Sequence, residues 1–416
     1  MNVKKLTTKQ NFLWNSFGCL TYLGCQWLLT VIVVIASNDY NNSGIFAFAM
    51  ATGIIFSAIG LFGIRPFQVS DLKHQFTQEN YIAFRVITSS AALAICYVYT
   101  FCISTDTTII TASLIYMLFK FDESFSDVIY GIYQFNERMD FIGISQIARG
   151  VISLITFSIP LYIFNNLNLS IALMFVGCLS VTLFYDLPHA RMFGEIRPKI
   201  SLVISGKLFK TCICSMISSM LIGLIVTSVR QIYGITQGSE ALGIYAAIAT
   251  PAVVIQVAVN YLYTPLLGKL ADARDAGAAA FKRVFFKLLL LLVVAVIVMV
   301  LVLSPLGVIL LPTLYGTTIN ENIFIFPWVL IATGTLGLVY YLWNSLVVLR
   351  KMKMAVLISA AGFLVSIGSS FFLMPAFGMN GINYSIILGS LCAVLGGVTY
   401  IATMRQPELP SKMQTH

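Results

Sequence analysis

The chain has 416 residues, of which 58% are hydrophobic and 10% are charged, and its mean hydropathy is +0.90. Soluble domains carry about 25% charged residues, so this composition excludes an ordinary soluble domain and indicates an integral membrane protein. A net charge of +9 would suggest a nucleic-acid partner in a soluble protein. Here the basic residues lie between apolar runs, and we expect no nucleic-acid partner.

Apolar runs recur along the whole chain, each long enough to cross a hydrocarbon core of about 30 Å. They predict an all-α, multi-pass membrane protein with twelve membrane-spanning helices. The predicted spans cover residues 11–36, 43–64, 80–103, 108–135, 141–165, 169–186, 208–230, 241–268, 283–311, 323–349, 354–377 and 380–403. Basic residues collect on one side of this arrangement, and only Arg230 falls at an opposite end. The asymmetry predicts that both termini lie in the cytoplasm.

The first span has a polar face opposite a face of leucine, isoleucine and valine. The polar face includes Asn15, Tyr22 and Gln26. Such side chains either line a cavity or hold neighbouring membrane helices together, and both interpretations stay open here.

The fourth span carries the most unusual pattern in the chain. At about 100° per residue, one helical face holds Tyr116, Lys120, Glu123, Asp127 and Tyr130. A charge at bilayer depth costs about 2.5 to 3.5 kcal/mol, so the stripe predicts a polar cavity. Two other interpretations stay open: residues 119–126 form a water-exposed break, or Lys120 and Glu123 form a purely structural pair.

The fifth span places Arg149 about 12 Å from its start, at 1.5 Å per residue. This arginine either neutralises the acidic stripe, receives an anionic substrate, or extends its long side chain to the membrane surface. Polar side chains also recur on the seventh, eighth and tenth spans. The candidates there are Arg230, Gln256, Asn260 and Asn344.

The second half repeats the layout of the first. Gly44-Ile45-Phe46-Ala47 is echoed by Gly243-Ile244-Tyr245-Ala246, and Pro66 by Pro265, both at an offset of 199 residues. We therefore predict two six-helix bundles, with a substrate path between them near the midplane. The predicted domains are an N-terminal bundle (1–186), a basic cytoplasmic linker (187–207), a C-terminal bundle (208–404) and a cytoplasmic tail (405–416).

Motifs for chemistry are missing from the sequence. It contains no phosphate-binding loop of the form G-x-x-x-x-G-K-[ST], and its three histidines and eight cysteines form no catalytic or metal-ligand pattern. We expect no catalytic residues, no metal and no cofactor. The energy for any process that the protein drives must then come from an ion gradient, the membrane potential or consumption of the product.

The turn Gly63 to Asp71 (G-I-R-P-F-Q-V-S-D), the stretch Tyr263-Thr264-Pro265-Leu266-Leu267 and the two-bundle layout resemble a known family. They resemble the polysaccharide, O-antigen and teichoic-acid flippases of the multidrug/oligosaccharidyl-lipid/polysaccharide (MOP) exporter superfamily. The resemblance implies a V-shaped, MATE-like pair of bundles that opens alternately to each side. Spans 3, 6, 9 and 12 would then lie outside the cavity, which makes Arg85 a surface anchor.

The resemblance also implies the substrate and the partners. The substrate would be an undecaprenyl-diphosphate-linked oligosaccharide, moved from the cytoplasmic to the outer leaflet of a bacterial cytoplasmic membrane for capsule or other surface polysaccharide assembly. Membrane lipids, a coupling proton or sodium ion and polysaccharide-assembly proteins are the further partners expected.

Such a substrate suits the candidate residues chemically. Sugar hydroxyls would bind carboxylate, amide and tyrosine side chains: Glu123, Asp127, Asn15, Gln26, Tyr116 and Tyr130. The diphosphate would bind arginine, whose planar fork matches oxyanions, so Arg149 and Arg65 are the head-group candidates. Because carboxylates repel diphosphate, we hypothesise that Glu123 or Asp127 binds a coupling ion, or pairs with Arg149 when no substrate is present.

Three other functions compete with the flippase. A drug or cation exporter of the same superfamily is the nearest alternative. A major-facilitator-type solute carrier is suggested by the loop Gly268 to Gly277, which only loosely matches that family's motif. A membrane glycan polymerase or acyltransferase is less favoured, because the predicted outer loops are short and poor in histidine.

Overall fold

The computed structural model describes residues 5–37, 40–70, 76–315 and 317–404, and in this part of the chain every regular element is helical. The all-α fold predicted from the sequence is therefore confirmed. Asp71 of the turn motif and the predicted tail 405–416 lie outside the described residues.

Eight helices form the first half of the chain. They are α1 (Thr8–Ala36), α2 (Asn41–Leu61), α3 (Arg65–Ser70), α4 (Gln78–Ile103), α5 (Thr107–Phe135), α6 (Met139–Phe164), α7 (Leu167–Val181) and α8 (Leu187–Ala190). A π-helical turn, Thr182–Asp186, joins α7 to α8. The second half continues with α9 (Leu202–Gln237), α10 (Ser239–Ala249), α11 (Val253–Tyr263), α12 (Leu267–Asp275), α13 (Ala278–Tyr315), α14 (Thr317–Asn322), α15 (Phe326–Val348), α16 (Met352–Phe377) and α17 (Asn380–Thr403).

Eleven helical stretches among the described residues are long and apolar enough to cross a membrane. The charged α5, with 29 residues, is long enough to be the twelfth. These twelve stretches correspond in order to the twelve predicted spans, with ends that differ by a few residues; the eighth, for example, is Ser239–Tyr263 where 241–268 was predicted. The protein is therefore a multi-pass membrane protein.

Polar side chains set several helix starts. The hydroxyl of Thr7 accepts from the backbone N–H of Gln10, whose side chain in turn accepts from the N–H of Thr7, forming a capping box before α1. Asp106 caps α5 by accepting from the N–H of Thr108 at 2.7 Å. The helix α2 ends at Leu61, because Phe62 and Gly63 adopt left-handed backbone conformations with φ of 49° and 60°.

The chain divides into two compact units. The first contains Met1–Met216 and Gly234–Ala247, and the second contains Ile217–Tyr233 and Ile248–His416. The helices α1 to α8 therefore belong to the first unit, whereas α9 contributes to both. The domain boundaries at residues 186 and 208 stay a prediction.

Glycines let two helix pairs of the first unit approach closely. A β-carbon added at Gly143 on α6 would lie 2.5 Å from the carbonyl oxygen of Trp14 on α1, and one at Gly18 would lie 2.5 Å from the Cα of Gly143. A β-carbon at Gly44 on α2 would lie only 1.6 Å from the carbonyl oxygen of Ser239. Small residues at helix contacts are typical of membrane proteins.

The glycines of the predicted repeat meet in the structure. A β-carbon added at Gly243 would lie 2.2 Å from the carbonyl oxygen of Tyr40 and 2.9 Å from the backbone nitrogen of Gly44. The two sequence-related segments therefore cross at their glycines, with no room for a side chain on either.

Candidate functional site

The charged segment of α5 belongs to one uninterrupted helix, so the interpretation of residues 119–126 as a water-exposed break is wrong. The helix runs from Thr107 to Phe135 without a turn or bend. Phe119 is fully buried and Asp122 is 3% exposed. Backbone hydrogen bonding within the helix satisfies its N–H and C=O groups, which is what a polar segment within a membrane requires.

The polar face of α5 lines a cavity of about 290 Å³ in the first unit. Seven sequence-predicted candidates line it: Tyr22, Arg65, Lys120, Glu123, Asp127, Tyr130 and Arg149. The remaining lining residues are Ser57, Leu61, Ser124, Ser126 and Gln146. The cavity is near the lower end of the size range of small-molecule pockets, about 300 to 1,000 Å³.

One group of charges in the wall centres on Asp127. Its Oδ1 accepts from Arg65 Nη1 at 3.1 Å, and its Oδ2 accepts from Arg85 Nη2 at 2.7 Å. Arg85 also donates from Nη1 to the carbonyl oxygen of Gly60 at 2.9 Å. Arg65 donates from Nε to Gln134 at 3.1 Å and lies 5.8 Å from the ring centroid of Tyr130. We call Arg65, Asp127 and Arg85 the arginine pair site.

The expectation that Arg85 is a surface anchor is wrong. Its side chain is fully buried and forms an ion pair with Asp127. A guanidinium without a counter-ion would be expensive to bury, so Arg85 requires the carboxylate on α5. The helix α4 therefore contributes a charge directly behind the cavity wall.

A second group of charges surrounds Arg149. Its Nη1 donates to Asp122 Oδ2 at 2.9 Å, and its Nη2 lies 3.6 Å from Asp186 Oδ2 and donates to Ser126 and Thr182. The hydroxyl of Thr182 donates to Asp122 Oδ1 at 2.6 Å. The side chains of the three charged residues are at most 3% exposed.

This arrangement corrects the hypothesis that Arg149 pairs with Glu123 or Asp127. Its partners are Asp122, which lies off the predicted stripe, and Asp186, which lies in the π-helical turn after α7. The extra residue of a π turn alters the direction of the following side chains, and such turns are frequent at functional sites.

A third group of charges centres on Glu123. Lys120 pairs with Glu123 one turn away on α5, and the hydroxyl of Tyr22 on α1 donates to the same carboxylate. The Lys120 ammonium also lies 5.6 Å from the ring centroid of the buried Tyr116. Lys120 and Glu123 do form a pair, but both line the cavity, and the hydrogen bond from Tyr22 joins them to α1.

The other sequence candidates do not line this cavity. Tyr116 is buried and packs edge-on against Phe46, while Gln26 donates to the hydroxyl of Ser153 at 3.2 Å across the contact between α1 and α6. Asn15 is half-buried on α1. In the second unit, Asn344 donates to Tyr263 at 3.0 Å, and Tyr263 donates to Asn260 at 2.8 Å. Arg230 and Gln256 also belong to the second unit.

Three charged residues of the site were missed by reasoning from sequence: Arg85, Asp122 and Asp186. Each is a charge within or at the end of an apolar run, where an unpaired charge is costly. That cost was a usable signal that each has a partner, although the sequence alone did not identify the partner. Among the described residues, no group of histidine, cysteine and carboxylate side chains could hold a metal ion.

No protein-family model matches the chain. The chain is 25% identical over 377 residues to the capsular polysaccharide biosynthesis protein CapF of Staphylococcus aureus, across 89% of this chain and 93% of CapF. It is similar in fold to a multidrug resistance MATE family transporter of the MOP superfamily solved in its inward-facing conformation. The TM-score is 0.70 at 12% identity, across 96% of this chain and 98% of the transporter.

Two further solved transporters agree with that fold. The Vibrio cholerae MATE transporter VcmN matches with a TM-score of 0.62 at 14% identity, across 95% of this chain and 97% of VcmN. A MOP superfamily transporter from Pyrococcus furiosus matches with a TM-score of 0.62 at 11% identity, across 96% of this chain and 98% of that one.

These findings define the class of the protein: a multi-pass, all-α membrane protein with the fold of the MOP-superfamily transporters. The similarity to CapF in sequence and to MOP-superfamily transporters in fold agrees with the resemblance to the polysaccharide flippases of that superfamily.

Proposed function

We propose that this protein moves an undecaprenyl-diphosphate-linked oligosaccharide from the cytoplasmic to the outer leaflet of a bacterial cytoplasmic membrane by alternating access. The observation that carries the proposal is the composition of the cavity wall in the first unit. It combines carboxylate, tyrosine, serine and amide side chains, which suit sugar hydroxyls, with three cationic side chains, which suit a diphosphate. The name of the relative CapF refers to capsular polysaccharide biosynthesis, which is consistent with a glycan substrate.

The charges of the wall are compatible with a diphosphate. The lining residues include three cations (Arg65, Lys120, Arg149) and two carboxylates (Glu123, Asp127), which gives 3 − 2 = +1. Their buried partners Arg85, Asp122 and Asp186 bring the sum to 4 − 4 = 0. Both carboxylates are paired with basic residues, so their repulsion of an anion is reduced. A coupling proton or sodium ion at Glu123 or Asp127 remains part of the proposal.

Export of a cationic drug is the second candidate, because the similar solved structures include multidrug transporters. A cation entering this cavity would meet two lining carboxylates, Glu123 and Asp127, that are already paired with lysine or arginine. The pairing of these carboxylates therefore favours the lipid-linked glycan over a cationic drug.

The test is complementation of a bacterial strain that lacks its own flippase for a capsular polysaccharide. We expect the wild-type chain to restore surface polysaccharide and to clear the lipid-linked precursor from the inner leaflet. We expect Glu123→Gln to restore less polysaccharide at an equal protein level. The neutral amide cannot form the ion pair with Lys120, and it is a weaker acceptor for the hydrogen bond from the Tyr22 hydroxyl.

Glu137→Gln is the matched control, since Glu137 is a half-exposed carboxylate outside the cavity that pairs with the exposed Lys5. Equal complementation by the Glu123 and Glu137 variants would remove Glu123 from the site. Efflux of a cationic dye without restored polysaccharide would favour the drug exporter. Lengthened polymer without precursor clearance would favour a polymerase.

A further inference from the structure

We propose that Asp127 is a shared counter-ion in the arginine pair site: Arg85 holds it permanently from behind, and Arg65 releases it to bind an anionic phosphate group. The inference rests on the proposed function, because it takes the diphosphate of the substrate as the incoming anion. It assigns Arg85 as a positioning residue, which acts on the ligand only through Asp127.

The side chains of the arginine pair site become more exposed from Arg85 through Asp127 to Arg65. The exchange requires this order, because only Arg65 has to be accessible to the incoming anion. Arg85 is fully buried, Asp127 is 22% exposed, and Arg65 is 25% exposed. Arg65 and Asp127 line the cavity, whereas Arg85 does not. An anion in the cavity therefore reaches Arg65, and it cannot reach Arg85 without displacing the carboxylate.

The distances also indicate that Arg85 holds Asp127 more tightly than Arg65 does. Arg85 approaches Asp127 at 2.7 Å and is held in addition by the carbonyl oxygen of Gly60. Arg65 approaches Asp127 at 3.1 Å, and its other contacts are with the neutral groups Gln134 and Tyr130. Those neutral contacts hold the guanidinium at the cavity wall when its carboxylate partner is replaced.

The charge balance makes the exchange feasible. Two arginines and one aspartate give 2 − 1 = +1, so one positive charge is available to an anion. When a phosphate binds Arg65, Asp127 still has Arg85 as its counter-ion, and no charge is left unpaired. Without Arg85, release of Asp127 would leave a carboxylate uncompensated in the protein wall, which is costly.

A transporter also has to release its substrate. Binding must be favourable enough for entry and weak enough for exit. Competition from Asp127 for the guanidinium of Arg65 lowers the affinity for the anion. Asp127 thus favours release, and its position opposite Arg65 is maintained by Arg85.

The experiment measures binding of farnesyl diphosphate, a soluble prenyl diphosphate, to the full-length protein purified in detergent. In Arg85→Gln, Asp127 has only Arg65 as its partner, so we expect binding about fivefold weaker, the size expected of a partly exposed ion pair. In the double variant Arg85→Gln/Asp127→Asn, Arg65 loses its competitor, so we expect binding about fivefold tighter than in the wild type.

Three further variants separate the exchange from a structural role. Arg65→Gln is expected to abolish binding, Arg85→Lys to keep it near the wild-type level, and Arg191→Gln, which changes an exposed arginine outside the cavity, to leave it unchanged. The opposite directions of Arg85→Gln and the double variant are the decisive readout, because a purely structural role of Arg85 predicts weaker binding in both.

The outcomes distinguish this inference from the proposed function. If Arg65→Gln abolishes binding but Arg85→Gln and the double variant Arg85→Gln/Asp127→Asn both bind like the wild type, the exchange is overturned and the diphosphate substrate stands. If the double variant binds more weakly than the wild type, Arg85 is structural and the exchange is also overturned. If the wild type binds no prenyl diphosphate, the proposed function falls and the exchange falls with it.

Discussion

Arg149 lies between two carboxylates, and at the scale of single residues this buried triad has the largest consequence for stability. Asp122 and Asp186 contact it from α5 and from the turn after α7, so the ion pairs join three segments of the first unit. Burying an ion pair does not by itself add much stability, but removing one partner leaves a buried charge without compensation.

We therefore predict that Arg149→Met lowers the free energy of unfolding by about 3 to 5 kcal/mol. The neutral triple variant Arg149→Met/Asp122→Asn/Asp186→Asn should recover most of that loss, because no charge is then left unpaired. Thermal unfolding of the detergent-purified protein measures both. An Arg149→Met variant as stable as the exposed-site control Arg191→Met would show that the triad does not hold these segments together.

Part of the site was predictable at the residue scale. Lys120 and Glu123 are three residues apart on one helix, so their pairing follows from helical geometry. Arg85 and Asp127 are 42 residues apart, and Arg149 and Asp122 are 27 apart. Their pairing depends on which helices pack together, which local periodicity does not contain.

At the scale of helices, the contact between α1 and α6 positions the cavity wall. Tyr22 follows Gly18 by one helical turn on α1, and it donates a hydrogen bond to Glu123 on α5. Gly18 and Gly143 allow the backbones of α1 and α6 to touch. The small residues of this contact therefore determine how far Tyr22 reaches into the cavity.

Gly143→Ala is predicted to destabilise the protein by about 1 to 3 kcal/mol, because the added methyl group meets the backbone of Trp14 at 2.5 Å. It should also reduce transport by moving Tyr22 away from Glu123. Gly24→Ala on α1 is the matched control, since a β-carbon there meets nothing within 4 Å. Thermal unfolding and the complementation assay measure the two effects, and equal behaviour of the two variants would contradict the prediction.

At the scale of the whole molecule, the distribution of basic residues predicts the orientation in the membrane. Lysine and arginine are retained on the cytoplasmic side during insertion. With twelve crossings, both termini are expected in the cytoplasm, and the connection between α6 and α7 at Asn165 and Asn166 is expected outside.

Reporter fusions test this orientation. A fluorescent protein fused at the C-terminus should fluoresce, and alkaline phosphatase fused there should be inactive. Phosphatase inserted between Asn165 and Asn166 should be active. The reversed pattern, or activity at both positions, would contradict an even number of crossings with cytoplasmic termini.

The sequence by itself determined the class of fold, because the length and hydropathy of a membrane helix are properties of contiguous residues. For the same reason, the polar face of α5 was visible from the spacing of Lys120, Glu123 and Asp127. Only the tertiary structure decided which charges neutralise one another. The partners of Arg149 and the burial of Arg85 depend on packing between α4, α5, α6 and the π-helical turn, because a charge within an apolar wall is stable only beside an opposite charge brought there by another segment.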